Sequence, residues 1–139
     1  MTTSCPSFRV NSLSMREVCS GGAASLWELT HPPFTEAHIP KRILQCPAVQ
    51  REIQFSSDNV IQNLSLRQRL VLCGSIIEEW NFTFGFVIPM STNSWTTIVE
   101  GKNGAMLAPE VLSGNLVIIT QFFDDDVELL HIDTVCYYE

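Results

Sequence analysis

Apolar side chains in this chain recur at every second position in short runs, and Gly, Pro, Asn and Asp separate the runs. A period of two places alternate side chains on opposite faces of an extended strand, whereas a helix face needs apolar residues three and four apart. The β-branched and aromatic residues that dominate these runs pack well on a pleated surface. The expectation is an all-β sandwich, with strands at 8–15, 25–29, 37–39, 49–55, 66–73, 78–88, 96–99, 116–123, 127–130 and 133–138. Only Pro109–Leu112 reads as a helical turn, ended by Ser113-Gly114. At 139 residues and 45% hydrophobic, the chain can bury a sizeable core without a disulfide or a metal. There is no internal repeat and no linker-like stretch, so 1–139 is expected to be one domain, with 1–7 as a flexible lead.

The formal net charge of -7 is unevenly placed. Residues 1–99 are balanced, while 100–139 carry eight acidic side chains and Lys102 alone. Phosphate recognition needs clustered Lys and Arg, so nucleic acid is excluded as a partner, and an anionic membrane has no polybasic segment to hold. No apolar run approaches a bilayer span, and the polar start lacks a signal-peptide core. A cytoplasmic protein without stable membrane insertion is therefore expected. Cys5, Cys19, Cys46, Cys73 and Cys136 are scattered and odd in number, as reduced thiols are. The sequons at Asn63 and Asn81 are read as chance matches, and Tyr137, Tyr138 and Glu139 are the wrong residues to make Cys136 a prenylation box. Asp124-Asp125-Asp126 lacks the spacing and glycine of a calcium loop and reads as a solvated turn. His31, His38 and His131 match no metal spacing. No GxSxG, P-loop or dinucleotide-binding pattern occurs, so neither an enzyme nor a cofactor is expected.

The informative anomaly is polar residues in phase with the core. In Val49-Gln50-Arg51-Glu52-Ile53-Gln54-Phe55, Arg51 shares a face with Val49, Ile53 and Phe55. Gln68 falls among Leu66, Leu70 and Leu72, and Glu78 shares its face with Trp80, Phe82, Phe84, Phe86 and Ile88. Burying three such groups without partners costs roughly several kcal/mol each, more than a domain of ordinary stability tolerates. One resolution is an internal ion pair of Arg51 with Glu78, oriented by Gln68. The other is an apolar cavity between the sheets in which a few polar groups orient a long aliphatic ligand.

Colinear blocks then connect the chain to a known family. They are Ile39-Pro40-Lys41-Arg42-Ile43-Leu44, Arg51-Glu52-Ile53-Gln54-Phe55-Ser56-Ser57, Glu78-Glu79-Trp80, Phe84-Gly85-Phe86-Val87-Ile88-Pro89, Ser91-Thr92-Asn93-Ser94-Trp95, Leu112-Ser113-Gly114-Asn115 and Phe122-Phe123-Asp124-Asp125-Asp126. In these the sequence resembles the family of the delta subunit of retinal rod cGMP phosphodiesterase, prenyl-binding proteins related to the Unc-119 lipid carriers. The resemblance implies an immunoglobulin-like β-sandwich with a hydrophobic lipid pocket between its sheets and no enzymatic activity. It implies Arg51, Gln68 and Glu78 as polar pocket residues, the first two near the prenylcysteine. It implies an apolar wall of Leu13, Met15, Ile39, Ile43, Cys46, Val49, Ile53, Leu70, Trp80, Val99, Met106, Leu112, Ile118, Thr120, Phe122 and Tyr138.

The function so implied is a cytosolic, monomeric carrier. It would solubilise farnesylated or geranylgeranylated proteins such as small GTPases, shuttle them between membranes, and release them to an Arf-like small GTPase in its GTP form. The alternatives are a regulatory or scaffolding subunit acting without lipid, and an N-myristoyl carrier. Ser12 stands where the family usually has Trp, Cys136 where it usually has Leu, and the stretch between Glu100 and Leu112 is one residue shorter. The first and third bear on cargo preference, and Cys136 on pocket shape near Tyr138. Methylation of the cargo's terminal carboxyl is expected to favour binding, unless Glu78 leaves Arg51 free to receive the carboxylate.

Overall fold

The computed structural model describes residues 3–4, 7–19, 22–30, 34–40, 48–100 and 109–139. Within them the alternating runs form β1 (Thr3–Ser4), β2 (Phe8–Cys19), β3 (Gly22–Leu29), β4 (Glu36–Ile39), β5 (Ala48–Ser57), β6 (Ile61–Leu72), β7 (Ser75–Val87), β8 (Ser91–Glu100), β9 (Leu116–Asp124) and β10 (Val127–Tyr138). The helical turn α1 (Pro109–Leu112) precedes β9. One sheet runs β1-β10-β9-β6-β7 with β4 also alongside β10, and the other runs β3-β2-β5-β8. Among the described strands only the β4–β10 pair is parallel. The two sheets pack face to face as an immunoglobulin-like β-sandwich.

Two apolar clusters divide the interior. The first holds Phe8, Phe55, Leu64, Leu66, Trp95 and Phe122 among its buried members, drawn from both sheets. Its rings meet at centroid distances of 5.1 Å for Phe8–Phe122 and 5.3 Å for Phe55–Phe84. The second buries Ala37, Ile39, Leu70, Leu112, Leu116 and Cys136, which belong to the β10-containing sheet and α1. Across from them Met15, Trp27 and Val49 of the other sheet are only partly buried. The sandwich is therefore closed at one end and less tightly packed at the other.

Bulges account for most departures from simple alternation. In β2, Phe8 and Val10 are buried and Leu13 also packs inward, which a constant period of two forbids. The register with β5 shifts between Val10 and Ser12, and that extra residue changes the phase. The expectation that Phe86 and Ile88 face inward is overturned in the same way. Val87 is buried, while Phe86 and Ile88 are 57% and 60% exposed. Leu64 pairs with Gly85 and Ser65 with Thr83, so Phe84 is an inserted residue, and Gly85 takes φ +102° where a side chain would be strained. The segments 127–130 and 133–138 are one strand, carried through a register shift between Glu128 and Leu130. β6 closes onto β7 through Cys73 and Gly74, both at positive φ, as a two-residue hairpin of matched twist requires.

β4 has only four residues, yet it supplies two buried side chains, Ala37 and Ile39. On its other face His38 contacts Glu139 through Nδ1 and Glu36 through Nε2 at 3.2 Å, and stacks on the Tyr137 ring. Glu139, then Glu36, raise the His38 pKa above its ordinary 6.5. A raised histidine pKa contributes stability that is fully present below the ordinary value and lost as the pH rises through the raised one. Amide protection of β4, corrected for intrinsic exchange, is expected to fall as the pH rises through that range in the wild type and to stay flat in His38→Gln. A flat wild-type profile would refute this.

Candidate functional site

The site lies where the aromatic cluster stops. β5 carries Arg51 inward and pairs it with Met15 on one side and Thr97 on the other. β6 carries Gln68 inward between Trp80 and Thr120. These strands are central in their sheets, so both side chains are held under the sheets rather than at an edge. Arg51 is 6% exposed and Gln68 7%.

No ion pair joins Arg51 to Glu78 among the described residues, so the internal salt bridge is not what satisfies the guanidinium. Glu78 sits half-buried, in register with Leu70. Arg51 instead donates one long hydrogen bond from Nη2 to Thr97 Oγ1, at 3.4 Å, and lies 4.9 Å from the centre of the Trp80 ring and 5.6 Å from that of Phe82. Aromatic faces attract a cation but accept no conventional hydrogen bond from Nε, which is buried and unpaired. Burial without a counter-ion pushes the Arg51 pKa down to about 10, which leaves it charged at neutral pH. Gln68 donates from Nε2 to Thr120 Oγ1 at 3.1 Å, and its Oε1 is likewise buried and unpaired. One buried donor and one buried acceptor thus await a partner.

Both residues line a cavity of about 50 Å³ between the sheets. Of the residues expected at the site, Leu13, Met15, Ile39, Ile53, Ile118 and Thr120 line it with them. Val49, Leu70, Trp80, Leu112 and Tyr138 belong to the second apolar cluster. Val99 pairs with Val49 in register, and Phe122 lies in the first cluster. Ile43, Cys46 and Met106 fall outside the described residues.

The cavity also has walls that sequence reasoning missed, Ser14, Trp27, Ala37, Glu52 and Thr134, and is lined as well by Cys136, which was expected to bear on the pocket's shape. Thr134 and Cys136 share the inward phase of β10 with Ile132, and that alternation was a usable signal. Ala37 was not recoverable this way, because β4 is too short for a pattern. The Cys136 thiol is pushed up to about 12, chiefly by burial, and is a neutral apolar wall group. Burial, followed by the neighbouring Cys136, raises the Tyr138 hydroxyl as well.

A sandwich with one less tightly packed end, a buried arginine without a counter-ion among the described residues and a largely apolar cavity between its sheets can be set beside known families. The family model for the GMP-PDE delta subunit matches residues 5–138. The chain belongs to the GMP-PDE delta subunit family. The match runs from ahead of β2 to the penultimate residue, so every strand but β1 and all the residues lining the cavity lie inside the delta-subunit match. Among the described residues no helix is long and apolar enough to cross a membrane.

Proposed function

We propose that this member of the delta-subunit family is a prenyl-binding carrier: a cytoplasmic, monomeric, non-catalytic protein that holds the farnesyl or geranylgeranyl chain of a small GTPase or similar cargo between its sheets. The observation that carries the reading is the pair of unpaired polar atoms, Arg51 Nε and Gln68 Oε1, in an otherwise largely apolar cavity wall. A lipid chain satisfies the apolar wall, and the prenylcysteine end supplies an acceptor for Arg51 and a donor for Gln68. Each pairing removes a desolvation penalty of about 1–3 kcal/mol.

The cavity is well below the roughly 300 Å³ at which ligand pockets begin, so lipid must separate the packed elements to enter. The half-buried Met15, Trp27 and Val49 mark the side with least packing to lose. Burying a prenyl chain is worth about 0.8 kcal/mol per methylene, on the order of 10 kcal/mol gross, and the cost of opening subtracts from it. A net affinity so reduced suits a carrier that must give up its cargo.

Release by a GTP-bound Arf-like GTPase is part of the proposal. Among the described strands β7 ends its sheet and has no partner on one side, which suits strand addition, while its inner face carries the Trp80 ring against Arg51. A partner that pairs there better in the closed than in the filled state would eject the lipid.

The test is titration of a fluorescent peptide with and without an S-farnesyl group, followed by stopped-flow release with the GTP and GDP forms of the GTPase. Binding is expected only with the prenyl group, and faster release only with GTP. Equal binding of the bare peptide would point to a lipid-independent scaffolding subunit instead.

A further inference from the structure

The outer face of the β10-containing sheet carries two arginines turned onto a neutral side chain. Arg67 and Arg69 stand on β6 in the phase opposite to Gln68, and Gln121 is the β9 partner of Arg67. Arg67 donates to Gln121 Oε1 from Nε at 3.3 Å and from Nη2 at 3.0 Å, and Arg69 donates to the same oxygen from Nη2 at 3.0 Å. Two cations thus converge on one amide oxygen, and Arg69 Nε is left buried without a partner. The Arg67 guanidinium also lies 5.3 Å from the centre of the Phe123 ring, which restrains it.

The carboxylates around them are engaged with other groups. Glu79, the β7 partner of Arg69, accepts from Asn81 Nδ2 at 3.3 Å, Glu128 accepts from Gln121 Nε2 at 2.9 Å, and Asp133 meets His131 Nε2 at 2.8 Å. Among the described residues neither Arg67 nor Arg69 forms an ion pair, in a chain with fifteen acidic and eight basic side chains. An oxyanion placed between the two guanidinium groups would relieve their repulsion, and by drawing Arg69 outward it would also pair Nε.

Beside Arg67 opens a groove of about 320 Å³, lined also by Ser65, Asn81, Thr83, Asp125 and Asp126. An inorganic phosphate alone would leave most of it empty. The two aspartates repel a second anionic group and attract a cation, which excludes a polyanion and disfavours an anionic bilayer. We propose that this face binds a phosphorylated serine or threonine of a protein partner, with the phosphate between Arg67 and Arg69 and a neighbouring basic residue facing Asp125 and Asp126. A phosphate monoester carries about −1.5 to −2 charge at neutral pH, enough to engage both arginines. The inference is independent of the carrier reading, since it uses the face of β6 opposite to Gln68.

The test titrates the full chain at low salt with a phosphoserine peptide flanked by lysines, its unphosphorylated form, a phosphoserine peptide flanked by glutamates, inorganic phosphate, and phosphatidylcholine vesicles containing phosphatidic acid. Backbone amide and arginine Nε–H resonances report where each probe binds. The lysine-flanked phosphopeptide should bind at least about tenfold tighter than any other probe and shift the resonances of Arg67 and Arg69. Arg67→Gln and Arg69→Gln should each weaken it by about tenfold or more, and Asp125→Lys should reduce the preference for lysine flanks. If a variant fails to melt as the wild type does, the wild-type shifts alone decide the place. No binding of that peptide, equal binding without its phosphate, or shifts away from β6 and β9 would overturn the proposal. So would inorganic phosphate matching the peptide, which would leave a simple anion site, or preferential binding to the vesicles, which would assign the face to a membrane.

Discussion

Arg51→Met is expected to weaken binding of a free-acid prenylcysteine peptide by more than about a hundredfold and of its methyl ester by about tenfold or less. The inequality follows from the absence of an Arg51–Glu78 ion pair. Had Glu78 neutralised the guanidinium, a buried carboxylate on the cargo would have had no receptor, and methylation would have been strongly favoured. Instead Arg51 has an unpaired Nε and one long hydrogen bond to Thr97. It can take a carboxylate as readily as an ester carbonyl, so the wild type should bind the two forms about equally. In Arg51→Met the free acid would bury an unpaired charge, a loss of about 3–5 kcal/mol, whereas the ester would lose one neutral acceptor contact. The variant should fold at least as stably as the wild type. Met fills much of the volume of the arginine stem and removes a desolvated cation that has no counter-ion. Titration of both peptides at constant salt, with thermal melting alongside, gives the answer. Equal losses for acid and ester would show that Arg51 does not meet the terminal carboxyl.

The second large effect concerns the closed end of the sandwich. Phe55 is 0% exposed and packs between the rings of Phe8 and Phe84, at 5.5 and 5.3 Å. Phe55→Ala leaves a cavity in a part of the core with aromatic neighbours on two sides, and should cost about 3–5 kcal/mol. That is a large share of the roughly 5–15 kcal/mol that holds a domain together. Phe86→Ala is the contrast. Phe86 looks like the same kind of strand aromatic in the sequence, but it lies beyond Gly85 and is 57% exposed, so its loss should change stability by no more than about 0.5 kcal/mol. Denaturant unfolding of both variants measures the difference directly. A Phe86→Ala cost comparable to that of Phe55→Ala would mean that the phase does not reverse at Gly85.

The same comparison shows how far the site could be read in advance. Arg51 and Gln68 stood out because they break an apolar alternation that is otherwise regular, and strands β5 and β6 keep that alternation around them, burying both side chains. Glu78 stood out for the same reason. Yet β7 is an edge strand, and the residue is half-buried and makes no pair with Arg51. Trp27 was missed as a wall because nothing in its local pattern marks it as different from any other strand aromatic. Ala37 was missed because a four-residue strand gives too few repeats to define a phase.

What the sequence determined by itself is what depends on local periodicity: an all-β chain, most of its strands, the inward placement of Arg51 and Gln68, and the family blocks that run through both sheets. The tertiary structure alone decided which inward polar groups meet. Partnership between Arg51, Trp80, Phe82 and Thr97 is a matter of register across sheets and between strands far apart in the chain, which a period of two does not encode. It also decided where the phase changes, since a single inserted residue at Phe84 turns every later side chain of β7 to the other face. Most of all it decided that Arg51 Nε and Gln68 Oε1, two of the buried polar atoms left unpaired, belong to residues lining one cavity. That property belongs to the space between two sheets, and no strand read alone contains it.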